Sequence, residues 1–216
     1  MRRDVTFVLI QGCLYAAFLT LDLAVPGSGW DMPLKYLSIL LCLLFVLRVG
    51  HGSDRALMGT ALSFTLLADL FLLVLDRCYP MGVASFCVVQ LLYLARILRT
   101  RPGAIPLRLA LRALVTWAAL TAVWILSALE PPTCLSLFYF AQLVCNAGDA
   151  LTLGSRYRLF ALGLLLFIGC DLCVGLQNLS AWLPQAPAPL LAFSRVGMWL
   201  FYLPSQVLLA QSVKRK

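Results

Sequence analysis

Two aspartates stand deep inside long apolar runs, Asp69 behind Leu66-Leu67-Ala68 and Asp171 behind Phe167-Ile168-Gly169-Cys170. A charged side chain at the centre of a membrane helix costs about 2.5–3.5 kcal/mol even on the lenient insertion scale, so such residues are read first as functional. Two carboxyl groups in one apolar setting suit general acid–base chemistry, one as proton donor and the other as its ionised partner. Asp69 lies eight residues before Arg77, and Asp171 nine before Ser180. At 1.5 Å per residue they sit roughly 12 and 13 Å below one face of the membrane. Arg195 enters from that face at a similar level, and Lys35 sits nearer its rim. Two acids and two bases in one leaflet read either as a structural set of ion pairs or as a site for an anionic, amphipathic ligand.

Helices must hold these groups. The chain has 216 residues, 62% of them hydrophobic and 12% charged, with a mean hydropathy of +0.93. Soluble domains are about half apolar and a quarter charged, so lipid must solvate much of this surface. A span takes about 20 apolar residues, and the length accommodates about eight. The spans expected are 5–24, 33–49, 56–76, 80–98, 107–128, 132–153, 159–178 and 189–212, separated by turns such as Pro26-Gly27-Ser28-Gly29, Arg101-Pro102-Gly103 and Glu130-Pro131-Pro132. The expected fold is an all-α, polytopic transmembrane bundle forming one integral membrane domain over 1–216. The first run follows Met1-Arg2-Arg3 but is broken by Gln11 and Asp22 and lacks a small-x-small cleavage site, so it reads as a span and not a leader.

Eight crossings place Arg2, Arg3, Arg48, Arg55, Arg96, Arg99, Arg101, Arg108, Arg112, Arg156, Arg158, Lys214, Arg215 and Lys216 on one face, out of 17 basic residues in all. The positive-inside rule then makes both termini cytoplasmic. The net charge of +8 is a topology signal and calls for no nucleic-acid partner. The basic stretch 96–112 is also suited to anionic lipid. Most of the eight cysteines fall within apolar runs and read as small hydrophobes, including Cys170 and Cys173 around Asp171. The single histidine, His51, lies in a loop, so a multi-histidine zinc hydrolase of the ceramidase type does not fit. No metal and no cofactor is expected.

Polar residues recur at helical spacing on single faces of most spans. Gln11, Tyr15 and Asp22 align on the first; Lys35 and Ser38 on the second; Thr65, Asp69 and Asp76 on the third; Gly82, Phe86, Gln90 and Tyr93 on the fourth. Tyr139, Gln142, Asn146 and Asp149 align on the sixth; Asp171, Gly175 and Asn178 on the seventh; Arg195, Trp199, Tyr202 and Gln206 on the eighth. Helix–helix glue explains the amides and hydroxyls. It explains mid-membrane carboxylates poorly, so the stripes together predict a polar interior.

The stretch Ser63-Phe64-Thr65-Leu66-Leu67-Ala68-Asp69-Leu70-Phe71-Leu72, followed by Gly82, Phe86, Gln90 and Tyr93, resembles motifs of the YhhN-type lysoplasmalogenase family. Leu166-Phe167-Ile168-Gly169-Cys170-Asp171 resembles its second motif, Tyr202 to Gln206 its closing segment, and Lys35 after Pro33 its second-span lysine. Gln90 stands where the family usually has His, Ala68 where it has Gly, and Cys170 where it has Ser. The resemblance implies hydrolysis of the vinyl ether of lysoplasmalogens to a fatty aldehyde and a glycerophospho-amine, with Asp69 and Asp171 as the catalytic pair. It implies a lysophospholipid substrate drawn from the bilayer, its phosphate met by Lys35 or Arg195. Gln90, Tyr93, Asn146, Tyr202 and Gln206 would complete the substrate site. The alternative expectations are a lipid-binding relative without turnover and a small transporter.

Overall fold

The computed structural model describes residues 2–25, 29–103, 105–125, 130–179 and 187–213. Among them the chain forms eight long helices: α1 (Arg2–Ala24), α2 (Asp31–Val49), α3 (Gly52–Asp69), α4 (Tyr79–Thr100), α5 (Ile105–Ile125), α6 (Pro131–Leu151), α7 (Arg158–Leu179) and α8 (Ala188–Gln211). Prolines open α4, α6 and α8 within the first turn, where the missing N–H has no intrahelical partner to lose. The bounds agree with the expected spans to within a few residues, with one informative exception. The third span stops being α-helical at Asp69 and continues as a π-helical turn, Leu70–Val74. Asp76, expected on the interior stripe, lies exposed in the following turn at φ 46°.

Helices α1 to α7 are long and apolar enough to cross a membrane. Helix α8 is as long, but Arg195, Ser205 and Gln206 lower its hydropathy. Six helices close a ring in the order α2, α3, α4, α6, α7, α8 and back to α2. Helix α1 leans on α2 and α8 from outside, and α5 packs mainly on α6. These satellites leave large apolar side chains uncovered, among them Leu9 on α1 and Trp117 and Trp124 on α5. Only hydrocarbon can solvate a surface of that kind. The chain is thus an all-α helical membrane bundle.

Close helix contacts need small residues. A Cβ on Gly163 of α7 would stand 2.8 Å from Leu209 Cγ and 3.2 Å from the Leu209 backbone nitrogen on α8. The α7–α8 interface therefore depends on that missing side chain, as small-residue packing between membrane helices does generally.

One end of the ring is locked by Arg96, a residue the sequence places among the loop cations. It is 2% exposed. Its Nε and Nη2 donate to the two carboxylate oxygens of Asp54 at 2.8 and 3.0 Å. Nη1 donates to Ser212 Oγ at 2.7 Å and Nη2 to the Ser212 carbonyl at 2.6 Å. The guanidinium also lies 4.6 Å from the ring centre of Phe160. The end of α4 is thereby tied to the start of α3, which runs antiparallel to it, and to the end of α8, which runs parallel to it. Removing one partner of a buried pair costs about 3–5 kcal/mol because the other charge is stranded. Arg96→Gln should therefore lower thermal stability in detergent strongly. The double variant Arg96→Gln/Asp54→Asn should recover part of the loss, and a double-mutant cycle of melting curves measures both.

Candidate functional site

Asp69 is set by the junction between α3 and its π-helical continuation. The wider turn is closed by the Leu75 N–H donating to the Leu70 carbonyl at 2.8 Å. Such π-bulges recur at functional positions because they redirect the residues on either side. Leu72 in this turn presses on α4 where a Cβ on Gly82 would stand 2.4 Å from Leu72 Cγ, so glycine is needed there. The Asp69 side chain is buried, and Tyr202 Oη on α8 lies 2.8 Å from each of its oxygens, donating to the carboxylate.

Asp171 sits across the ring on α7. Its carboxylate faces the Tyr139 hydroxyl on α6, among the described residues the one group beside it that can donate to it. Between the aspartates lies a box of aromatic rings. The Phe167 ring centre is 5.7 Å from that of Tyr202 and 6.4 Å from that of Tyr139. Phe86 closes the box at 5.6 Å from both Tyr139 and Phe167. Buried Asp69, Tyr202, Phe167 and Tyr139, with the half-buried Asp171, thus form one continuous cluster drawn from α3, α8, α7 and α6.

One turn further along α4 and α8, and two turns along α6, a layer of amides follows. Gln90, Asn146 and Gln206 are all fully buried. Asn146 Nδ2 donates to the Gln90 carbonyl and to Gln90 Oε1, each at 2.9 Å. Gln90 Nε2, Asn146 Oδ1 and both side-chain polar atoms of Gln206 have no partner among the described residues, nor do Tyr93 Oη and Ser205 Oγ. Buried polar atoms are hydrogen-bonded in roughly nine cases of ten. Open donors and acceptors are thus concentrated in one layer of the bundle.

The two expected phosphate ligands fare differently. Lys35 Nζ is buried against two carboxylates, 2.8 Å from Asp22 Oδ2 and 2.5 Å from Asp31 Oδ2, and lies 4.2 Å from the ring centre of Trp199. Its charge is already compensated, so it does not stand free for an anion. Asp31 was invisible as a partner because it opens α2 from a turn. Arg195 is exposed on α8, with no ion pair among the described residues. Phe86 stands on the fourth stripe and Phe167 within the second quoted motif, but hydropathy gives an apolar ring there no role beyond packing. Asn178, at the end of the seventh stripe, is exposed. His51 is exposed, Cys170 and Cys173 are free and buried, and among the described residues no three His, Cys, Asp or Glu side chains group to hold a metal.

A buried and a half-buried carboxylate, with buried tyrosines and amides, make a candidate intramembrane site within the six-helix ring of a polytopic helical protein. A model of the YhhN family matches residues 30–213, and the chain belongs to that family. No curated protein and no solved structure matches it.

Tyr202→Phe removes the hydroxyl that Asp69 accepts from, and an unsatisfied buried acceptor costs about 1–3 kcal/mol. The variant should melt earlier in detergent than wild type. Asp69→Asn still accepts from Tyr202 and should lose less, which the same melting experiment reads.

Proposed function

We propose that this chain hydrolyses the vinyl ether bond of lysoplasmalogens within the membrane, releasing a fatty aldehyde and glycerophosphoethanolamine or glycerophosphocholine. The observation that carries this reading is a pair of carboxyl groups, Asp69 and Asp171, at opposite sides of one aromatic box. Vinyl-ether cleavage begins with a proton delivered to the alkene carbon remote from oxygen. The C=C electrons take that proton, leaving an oxocarbenium ion. Water adds to its carbon, losing a proton to the second carboxylate, and the hemiacetal collapses to aldehyde and alcohol. One carboxyl gives a proton and the other receives one, so the pair keeps its proton count, and the proton must return from the second carboxyl to the first before the next turnover. Aromatic faces attract cations, which suits the rings of Phe86, Phe167 and Tyr202 to the intermediate. The amides of Gln90, Asn146 and Gln206, with Tyr93, suit the attacking water.

The lipid headgroup belongs at the Lys35 end. There the Asp22–Lys35–Asp31 cluster carries two acids for one base and suits the ammonium of the headgroup. Arg195, one turn before Trp199, is the cation left for its phosphate. Turnover is read as aldehyde release from vinyl-ether lysolipid by the purified chain. Asp69→Asn and Asp171→Asn should each lower it by about 10²–10⁴, the usual worth of general acid–base help, while lipid-induced thermal stabilisation persists. Full activity in both variants would sink the assignment. Stabilisation by the lipid without aldehyde release from wild type would make the chain a lipid-binding relative.

The basic end of the bundle faces the cytoplasm in this reading, with both termini on that side. Reporter fusions should report a cytoplasmic location for each end, and opposite locations would overturn the eight-crossing topology.

A further inference from the structure

Helix α5 packs mainly on α6, and a crevice of about 410 Å³ lies between α4, α5 and α6. Leu91, Leu94, Leu109, Trp117 and Phe138 form apolar walls, and Arg112 and Gln142 give it a polar patch. Arg112 is 4% exposed. Its Nη2 donates to Asp149 Oδ2 at 2.6 Å and its Nη1 to Gln142 Oε1 at 3.2 Å. Its buried Nε has no hydrogen-bond partner among the described residues. One turn earlier, Arg108 Nε is 3.8 Å from Asp149 Oδ1, and the buried Nη1 of Arg108 is likewise unpartnered. Two guanidinium groups therefore share one carboxylate, which leaves a positive charge uncompensated beside an apolar crevice.

We propose that this crevice binds an anionic phospholipid, its phosphate against Arg108 and Arg112 and an acyl chain along Leu109, Trp117 and Phe138. Three arguments converge on that occupant. An uncompensated charge in an apolar wall demands an anion, because the medium cannot screen it. Guanidinium N–H groups match phosphate oxygens geometrically. Depth agrees as well: Arg108 and Arg112 lie three and seven residues into α5, about 5 and 10 Å along the helix, a headgroup's distance from the membrane edge. The site stands apart from the aspartates and does not depend on the hydrolase reading.

The test is native mass spectrometry of the detergent-purified full chain with phosphatidylglycerol, phosphatidylcholine or inorganic phosphate. Phosphatidylglycerol should be retained at about fivefold lower concentration than phosphatidylcholine, the discrimination expected of one basic residue at an anionic lipid. Inorganic phosphate alone should leave no adduct. Ala113→Trp fills the crevice without touching the ion pair and should abolish retention. Arg108→Gln keeps the crevice and the Arg112–Asp149 pair but removes the surplus charge, and should erase the preference for phosphatidylglycerol. Equal retention of both lipids by wild type, a lipid adduct surviving in Ala113→Trp, an undiminished preference in Arg108→Gln, or binding of phosphate alone would each overturn the proposal.

Discussion

A hydrocarbon medium offers nothing to a carboxylate, so Asp69 depends wholly on what the surrounding helices bring to it. What they bring is the Tyr202 hydroxyl, at 2.8 Å from either oxygen. That bond joins the third helix to the last, across 133 positions of sequence. It can form only if α8 returns to α3 in the right rotation and at the right depth. The ring of six helices, the aromatic box and the amide layer all follow from meeting that requirement without water.

The bundle carries a buried ion-pair cluster near each of its two ends, and the two differ in character. At one end Arg96 is saturated by Asp54, Ser212 and the ring of Phe160. At the other, Lys35 is held between Asp22 and Asp31 over Trp199. The first has every guanidinium nitrogen engaged and reads as a rivet. The second leaves acidic oxygens in surplus at an accessible rim, and Trp199 lies 5.7 Å from Tyr202. A ligand engaging the rim therefore acts two side chains away from Asp69.

The spans were legible because a hydrocarbon slab filters sequences by length and apolarity, and the turns carry the residues that stop helices. The polar faces were legible for the same reason: Gln11, Lys35, Gln90, Asn146 and Gln206 are too costly to face lipid, and all are buried. Hydropathy is silent about pairing between helices. It did not reveal that Lys35 and Arg112 are matched by carboxylates from other turns and helices, or that Phe167 spans the gap between the two acids. Nor did it reveal that α5 stands outside the ring, since a satellite helix and a ring helix are equally apolar by count. Asp76 failed as an interior residue because it lies in the turn beyond the π-helical segment, and Asn178 because at the end of α7 it is Gln177 that faces α8.

The π-helical turn after Asp69 also sets how this segment tolerates change in length. An i→i+5 bond, seen here from Leu75 to Leu70, accommodates one residue more than the α-helical turn it replaces. The surplus residue shifts the angular phase of everything on one side relative to the other, by about 100° per residue in an α-helix. Losing one residue between Leu70 and Val74 would let the turn relax to α geometry and leave every apolar side chain nearly intact in number. Yet it would swing Asp69 away from Tyr202, or drag Leu72 off Gly82, because both faces cannot keep their bearings at once. The segment behaves as a vernier: its hydrophobicity is freely exchangeable, but its residue count is not.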